Sequence, residues 1–308
     1  MKGELRAYLE AIRSRLRLDP SSEGEIVREF YTHLEDRAQE LRQQGLGEEE
    51  AIRVAAQSFG PPQTIAREMY QAYSRGSWWQ AGLAAMPHLL FAILFALHLW
   101  NSPVWLLVFS LATLAMAVYG WLQGKPMWAF PWLGYSLLPL LVASLFLLFL
   151  PPWTYFAILA YIPLFCLLVA AMTFQAIRRD WLYGSLMLLP LPIVGGWLLA
   201  LQFQGGLVDY VRHHIYEMDP WIALSFFTLA VTAATFVRLR QRRLKTGALL
   251  TPELLILILV ALSTGSILGF LGLLLLALVA LVILLSPALV EYKIGHSRAE
   301  EGAEVEFP

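Results

Sequence analysis

From residue 76 to residue 174 the chain carries a single charged side chain, Lys125. A stretch of that length without the charges that cover a water-facing surface cannot fold as a soluble domain. The same poverty returns over residues 254–286, which hold no charged group. Residues 1–75 are the opposite: 11 of the chain's 22 Lys/Arg and 13 of its 23 Asp/Glu lie there. Overall, 58% of the residues are hydrophobic and 15% charged, against about 45–50% and about 25% in soluble domains. The net charge is −1, so no global field steers nucleic acid or acidic partners. The pattern excludes a single soluble domain and a disordered chain. It predicts a small polar head, residues 1–75, on a membrane body, residues 76–290, with a polar tail, residues 291–308.

The head reads as four helices. Leu5, Tyr8, Leu9, Ile12 and Leu16 recur at the three-to-four spacing of an amphipathic helix, and Asp19-Pro20 stops it. Ser22 with Glu25 forms a capping-box pattern. Ile26, Phe30, Leu34, Ala38 and Leu41 give a second apolar stripe, closed by Gly45 as a C′ glycine. Glu48, Glu49 and Glu50 suit the positive end of a third helix, which continues through Ile52, Ala55 and Ala56 to Gly60-Pro61-Pro62. Thr64 caps a fourth, carrying Ile65, Met69 and Tyr73. The N-terminus lacks the basic-then-apolar pattern of a signal peptide, so the head is expected to stay on the side of synthesis. About 75 residues make a small core, which suggests support from a partner, a second copy or the membrane body.

The runs "HLEDRAQEL" (His33–Leu41), "GLGEEEAI" (Gly45–Ile52) and "FGPP" (Phe59–Pro62) resemble the bacterial helical prefix domain called HAAS, or permease prefix domain. The resemblance covers the N-terminal quarter. It implies a regulatory head in front of a multi-span region, with a PadR-type transcriptional regulator as the expected cytosolic partner; other such heads precede ABC-type permeases. The family motif brings no catalytic residue.

The membrane body reads as an all-α polytopic bundle of about eight spans, at 80–99, 103–122, 131–150, 153–176, 181–201, 220–237, 250–268 and 270–290. One helix over 250–290 would run roughly 60 Å, about twice the hydrocarbon thickness. The chain must therefore fold back near Ser263–Ser266 or at Gly269 and Gly272. With the head inside, the inner connections hold Lys125, Arg178, Arg179, Arg238, Arg240, Arg242, Arg243 and Lys245, while Arg212 is the one basic residue of the outer connections. This positive-inside pattern predicts both termini cytoplasmic, and the HAAS resemblance implies the inner membrane of a bacterium. Seven spans would put Lys293 and Arg298 outside. Ten of the eleven tryptophans, Trp197 excepted, fall near predicted span ends, as interfacial indoles do. "WLGYSLLPL" (Trp132–Leu140) and "WLYGSLMLLPL" (Trp181–Leu191) hint at a repeated helical hairpin; proline at first turns and tryptophan at interfaces account for the likeness equally well.

Few groups can carry chemistry. His88 and His98 fall within the first span, where an ionisable group is costly and calls for a role. Asp209, His213 and Glu217, at i, i+4 and i+8 in the outer loop, would share a helix face and are candidates for a divalent metal such as zinc; an interfacial helix with Arg212 pairing Asp209 or Glu217 is the plainer alternative. Pro190, Pro192, Gly195 and Gly196 are the candidate kink. Arg238, Arg240, Arg242, Arg243 and Lys245 form a basic juxtamembrane cluster suited to anionic lipid or to acidic positions of the head. Glu253, just after Pro252, reads as a carboxylate at a span's N-terminus. The one cysteine, Cys166, cannot form an intrachain disulfide. No nucleotide loop, HExxH, paired-cysteine site or Ser-His-Asp set stands out, and no cofactor is expected.

The sequence therefore predicts a non-enzymatic, signalling or regulatory membrane protein whose head binds a cytosolic partner, with possible homo-oligomerisation and no direct nucleic-acid contact. The alternatives are a transporter or permease component for an apolar or weakly polar substrate, and an accessory subunit of a larger membrane complex.

Overall fold

The structure, a computed structural model, describes the chain apart from residues 1, 19, 138–162, 164–166, 168, 178–179, 204–210, 265–268 and 305–308. The described residues are overwhelmingly helical and include no strand. The chain divides into two compact units. One is residues 1–76 together with the short connection 239–241; the other is the remainder.

The first unit contains α1 (Lys2–Leu16), α2 (Pro20–Gln43), α3 (Glu48–Phe59) and α4 (Pro62–Tyr73). The expected stripes are buried: Leu9, Ile12 and Leu16 on α1, and Ile26, Leu34, Ala38 and Leu41 on α2. Leu16 and Leu34 are fully buried, each stabilising the head by roughly 2 kcal/mol. Gly45 closes α2 at φ 95°, and Leu46 N–H donates back to the Leu41 carbonyl at 3.2 Å, the six-to-one bond of a Schellman end.

Two starts differ from the sequence reading. Helix α2 begins at Pro20, so Ser22 lies inside the first turn and is not the cap. Helix α4 begins at Pro62 behind Pro61, so Thr64 is also inside its helix. In both places a proline, with φ already set near the helical value and no N–H to satisfy, opens the helix. The inward faces of α3 and α4 are also rotated from the expected ones. Ala51 and Ala55 are buried on α3, and Ile65, Ala66 and Tyr70 on α4, while Tyr73 is 52% exposed. The connection 239–241 joins this unit through Ser74 Oγ, which donates to the Arg240 carbonyl at 3.0 Å.

The second unit holds α5 (Trp78–Ala96), a 3₁₀ turn (Leu99–Asn101), α6 (Pro103–Leu122), α7 and α8, helical over 129–137 and 169–177, α9 (Trp181–Leu188), α10 (Pro190–Phe203), α11 (Val211–Arg238), α12 (Arg242–Thr264) and α13 (Gly269–Glu304). Four helical stretches among the described residues are long and apolar enough to cross a membrane: Trp78–Ala96, Pro103–Leu122, Tyr216–Arg238 and Leu274–Lys293. The regions expected as spans at 131–150 and 153–176 lie largely outside the described residues, as does Cys166.

Helices α5 and α11 pack antiparallel. The Arg238 guanidinium, at the end of α11, sits 4.1 Å over the Trp78 ring at the start of α5. At their other ends His98 meets Asp219. Helices α12 and α13 form the predicted fold-back: α12 ends at Thr264, α13 begins at Gly269, and Arg242 lies 3.8 Å from Glu291 at the opposite end of the pair.

The prolines inside helices show how such a bundle tolerates them. Pro87 has no N–H for the Leu83 carbonyl four residues earlier; the Trp132 indole N–H donates to that carbonyl at 2.9 Å. Pro287 likewise strands the Ile283 carbonyl, and Ser286 Oγ donates to it at 2.8 Å. In a medium without water, an orphaned carbonyl must find such a donor. This corrects the interfacial reading of two tryptophans: Trp132 is 2% exposed and Trp128 5%. Small residues allow the closest approaches. A Cβ on Gly134 of α7 would overlap the Met187 carbonyl oxygen of α9, and one on Gly184 would lie 3.0 Å from Pro287.

Candidate functional site

On the head, α1 and α3 leave a groove of about 540 Å³ lined by Ala7, Tyr8, Ile52, Arg53, Ala56, Gln57, Gly60 and Pro61. Its origin is the rotation of α3. With Ala51 and Ala55 in the core, Ile52 and Ala56, expected inside, are only partly covered and turn to the groove. Its floor is braced at the Phe59–Pro62 turn. Gly60 has φ 98°, a conformation that costs a side-chain-bearing residue about 1 kcal/mol or more. The Gly60 carbonyl accepts a 2.8 Å hydrogen bond from the Tyr8 hydroxyl. Arg53 stands at the rim, paired with Glu50 at 3.7 Å and well exposed. Apolar walls with one cation and one amide at the rim suit an amphipathic peptide segment.

Burial pushes the Tyr8 phenol above its ordinary value of 10.0. Because the folded value is the higher one, the stabilisation is complete below about pH 10 and is lost as pH rises through the folded value. The head of wild-type protein is expected to lose helicity in that alkaline window, followed by circular dichroism, and Tyr8→Phe is expected to shift the onset upward. An identical alkaline profile in both proteins would count against the Tyr8–Gly60 tether.

In the membrane-type unit, polar groups gather at two levels. On α11, Asp219 and Arg238 are about 28 Å apart along the axis at 1.5 Å per residue, close to the hydrocarbon thickness. At the Asp219 level, His98 takes up φ 55° just past α5, which turns the chain into the 3₁₀ segment. Asp219, fully buried, accepts from His98 Nδ1 at 2.5 Å and from Trp100 Nε1 at 2.9 Å. Asn101 Nδ2 donates to the Tyr216 hydroxyl at 3.0 Å. At the Arg238 level, buried Asp180 caps α9 by accepting from Leu182 N–H at 3.2 Å, and it pairs with Arg242 at 2.9 Å. Glu291 accepts from Trp181 N–H at 2.8 Å.

The other predicted residues are placed as follows. His88 is fully buried between the levels, its Nδ1 2.8 Å from the Tyr135 hydroxyl. Pro190 opens α10 directly after Leu189, so α9 and α10 are separate helices there; Pro192, Gly195 and Gly196 lie within α10. Lys245 is fully buried with Nζ 5.1 Å from the Phe236 ring centre. Arg240 and Arg243 are exposed. Of the proposed metal ligands, Asp209 and the side chain of His213 lie outside the described residues, and Glu217 is exposed on α11. Among the described residues no cluster of three or more His, Cys, Asp or Glu has metal-site geometry.

Three polar residues escaped the sequence reading. Nothing in the sequence singled out Asp180, Glu291 or Asp219. Position alone carried no signal of the burial of Asp180 and Asp219 or of the part-burial of Glu291. Glu253 is corrected outright: α12 starts at Arg242, so Glu253 sits three turns inside the helix and no helix terminus stabilises it.

A polar four-helix unit and a second unit with four helical stretches fit to cross a membrane mark a membrane protein. Residues 7–68 match the family model HAAS. No curated protein and no solved structure matches the chain.

Proposed function

We propose that the chain is a non-enzymatic regulatory protein of the bacterial cytoplasmic membrane, whose HAAS head docks a cytosolic protein in the α1–α3 groove. A PadR-type transcriptional regulator is the partner class that the head's family suggests. The observation carrying this reading is the groove itself, apolar between Tyr8, Ile52 and Ala56 with Arg53 and Gln57 at its edge. In the same reading the body crosses the membrane eight times with both termini cytoplasmic. The alternating directions of α5 against α11 and of α12 against α13 support it, as does the basic bias of the inner connections.

A photo-crosslinking residue placed at Gln57 of the full-length protein in cells tests partner and sidedness together. The expected result is a covalent adduct with a cytosolic regulator, absent when the residue is placed at exposed Glu35. Placing acidic groups at two exposed groove positions, Ala7→Glu with Arg53→Glu, is expected to lower the adduct by roughly thirtyfold, the equivalent of about 2 kcal/mol at an interface anchor. Adducts confined to lipid or to other membrane chains would sink the proposal.

A further inference from the structure

Among the described residues of the second unit, Glu253 is a buried carboxylate with no ion pair. It is 7% exposed, and its Oε1 has no hydrogen-bond partner. Along α12 it shares an inward face with Leu249, Ile256 and Val260, all nearly fully buried. It stands eleven residues from Arg242, about 16 Å along the axis, which is roughly half the hydrocarbon thickness.

Among the described residues, the groups that could neutralise it lie elsewhere. Helix α12 packs against α9, α10, α11 and α13. Within the apolar stretches of these helices, α10 has no titratable residue, α11 has none between Trp221 and Val237, and α13 has none between Leu274 and Val290. Helix α9 offers Tyr183, with Asp180 at its start. Tyr216, Glu217 and Asp219 belong to one level of the unit, and Glu291, Tyr292 and Lys293 to the other. On α12 itself, Arg242, Arg243 and Lys245 are at least two turns away, and Lys245 is about 12 Å along the axis. No ion pair to Glu253 occurs among the described residues. An ionised carboxylate buried without a partner is penalised so heavily that it takes up a proton instead.

We propose that Glu253 is a proton-binding site within the membrane, occupied at neutral pH, and that its neutral acid is open to modification by a lipophilic carbodiimide. The modification balances within the two reactants. The carboxylic oxygen bonds the central carbodiimide carbon, the acid proton passes to a carbodiimide nitrogen, and an oxygen-to-nitrogen acyl shift yields a stable N-acylurea with no leaving group. An ionised carboxylate has no proton to give and stays unmodified.

The experiment treats full-length protein in lipid nanodiscs with dicyclohexylcarbodiimide at neutral pH and maps adducts by mass spectrometry. Infrared difference spectra of wild type, E253Q and E253D are recorded alongside. The expected result is an adduct on the Glu253 peptide that is lost in E253Q, and a protonated-acid carbonyl band that is present in wild type and E253D and absent in E253Q. The wild-type adduct needs no variant to be read, and E253D retains the acid should the glutamine variant fail to fold. The infrared band decides if the reagent lacks access. An unmodified Glu253 peptide with no protonated-acid band assignable to residue 253 overturns the proposal.

Discussion

Gly134→Ala is expected to remove most folded protein. Its new methyl would overlap the Met187 carbonyl oxygen, well inside van der Waals contact. Backbone cannot rotate away as a side-chain tip does, so α7 and α9 must separate. Overpacking usually costs about 1–3 kcal/mol, and a clash with backbone belongs at or above the top of that range. Two more contacts would be strained by the shift: the Trp132 indole bond to Leu83 and the stacked Phe130–Tyr183 rings, 4.9 Å apart. Size-exclusion profiles after graded heating should show early loss of the monodisperse species. Gly195→Ala is the control, because a Cβ there meets nothing within 4 Å, and reduced freedom of the unfolded chain favours it by about 0.4–1 kcal/mol. A wild-type heating profile for Gly134→Ala would refute the close α7–α9 contact.

The second large effect belongs to Arg242. Its guanidinium joins three elements by meeting Asp180 at 2.9 Å before α9 and Glu291 at 3.8 Å on α13 from its own place on α12. Asp180 is fully buried while Arg242 retains 39% side-chain exposure. The partial exposure puts the expected loss for Arg242→Ala at about 2 kcal/mol, in the range for a hydrogen bond to a charged group and below that for a fully buried pair. Arg242→Lys should recover only part of this, because an ammonium lacks the planar fork. The double variant Asp180→Asn, Arg242→Gln removes both charges and is expected to lose less than the two single changes combined. Additive losses in thermal denaturation would show that the two residues act independently.

The head was largely legible from its punctuation. Gly45 and the Phe59–Pro62 turn do what their spacing predicts, since a left-handed glycine and a proline act within their own turn. Helix phase was less secure. Moving the buried face of α3 from Ile52 to Ala51, and that of α4 from Tyr73 to Tyr70, is a small rotation, yet it is what leaves Ile52 free to line the groove. Glu253 shows the opposite error. Reading Pro252 as the start of a helix fails, because a proline that begins a helix and one that lies inside a packed apolar helix look alike in sequence. Trp132 is similar: an indole near a span end reads as interfacial until the fold brings Pro87 and its orphaned Leu83 carbonyl alongside.

The amino-acid order by itself determined that this protein is helical, that its charge is concentrated in the N-terminal head, and that long segments of the remainder belong in an apolar medium. Those properties follow from transfer free energy and local backbone preference, which each segment carries wherever it is placed. Only the tertiary structure decided that Arg242 meets Asp180 and Glu291, that His98 and Trp100 converge on Asp219, and that Glu253 is left facing carbon. Hydrogen bonds and ion pairs act over a few ångströms, so their partners are set by which helices become neighbours.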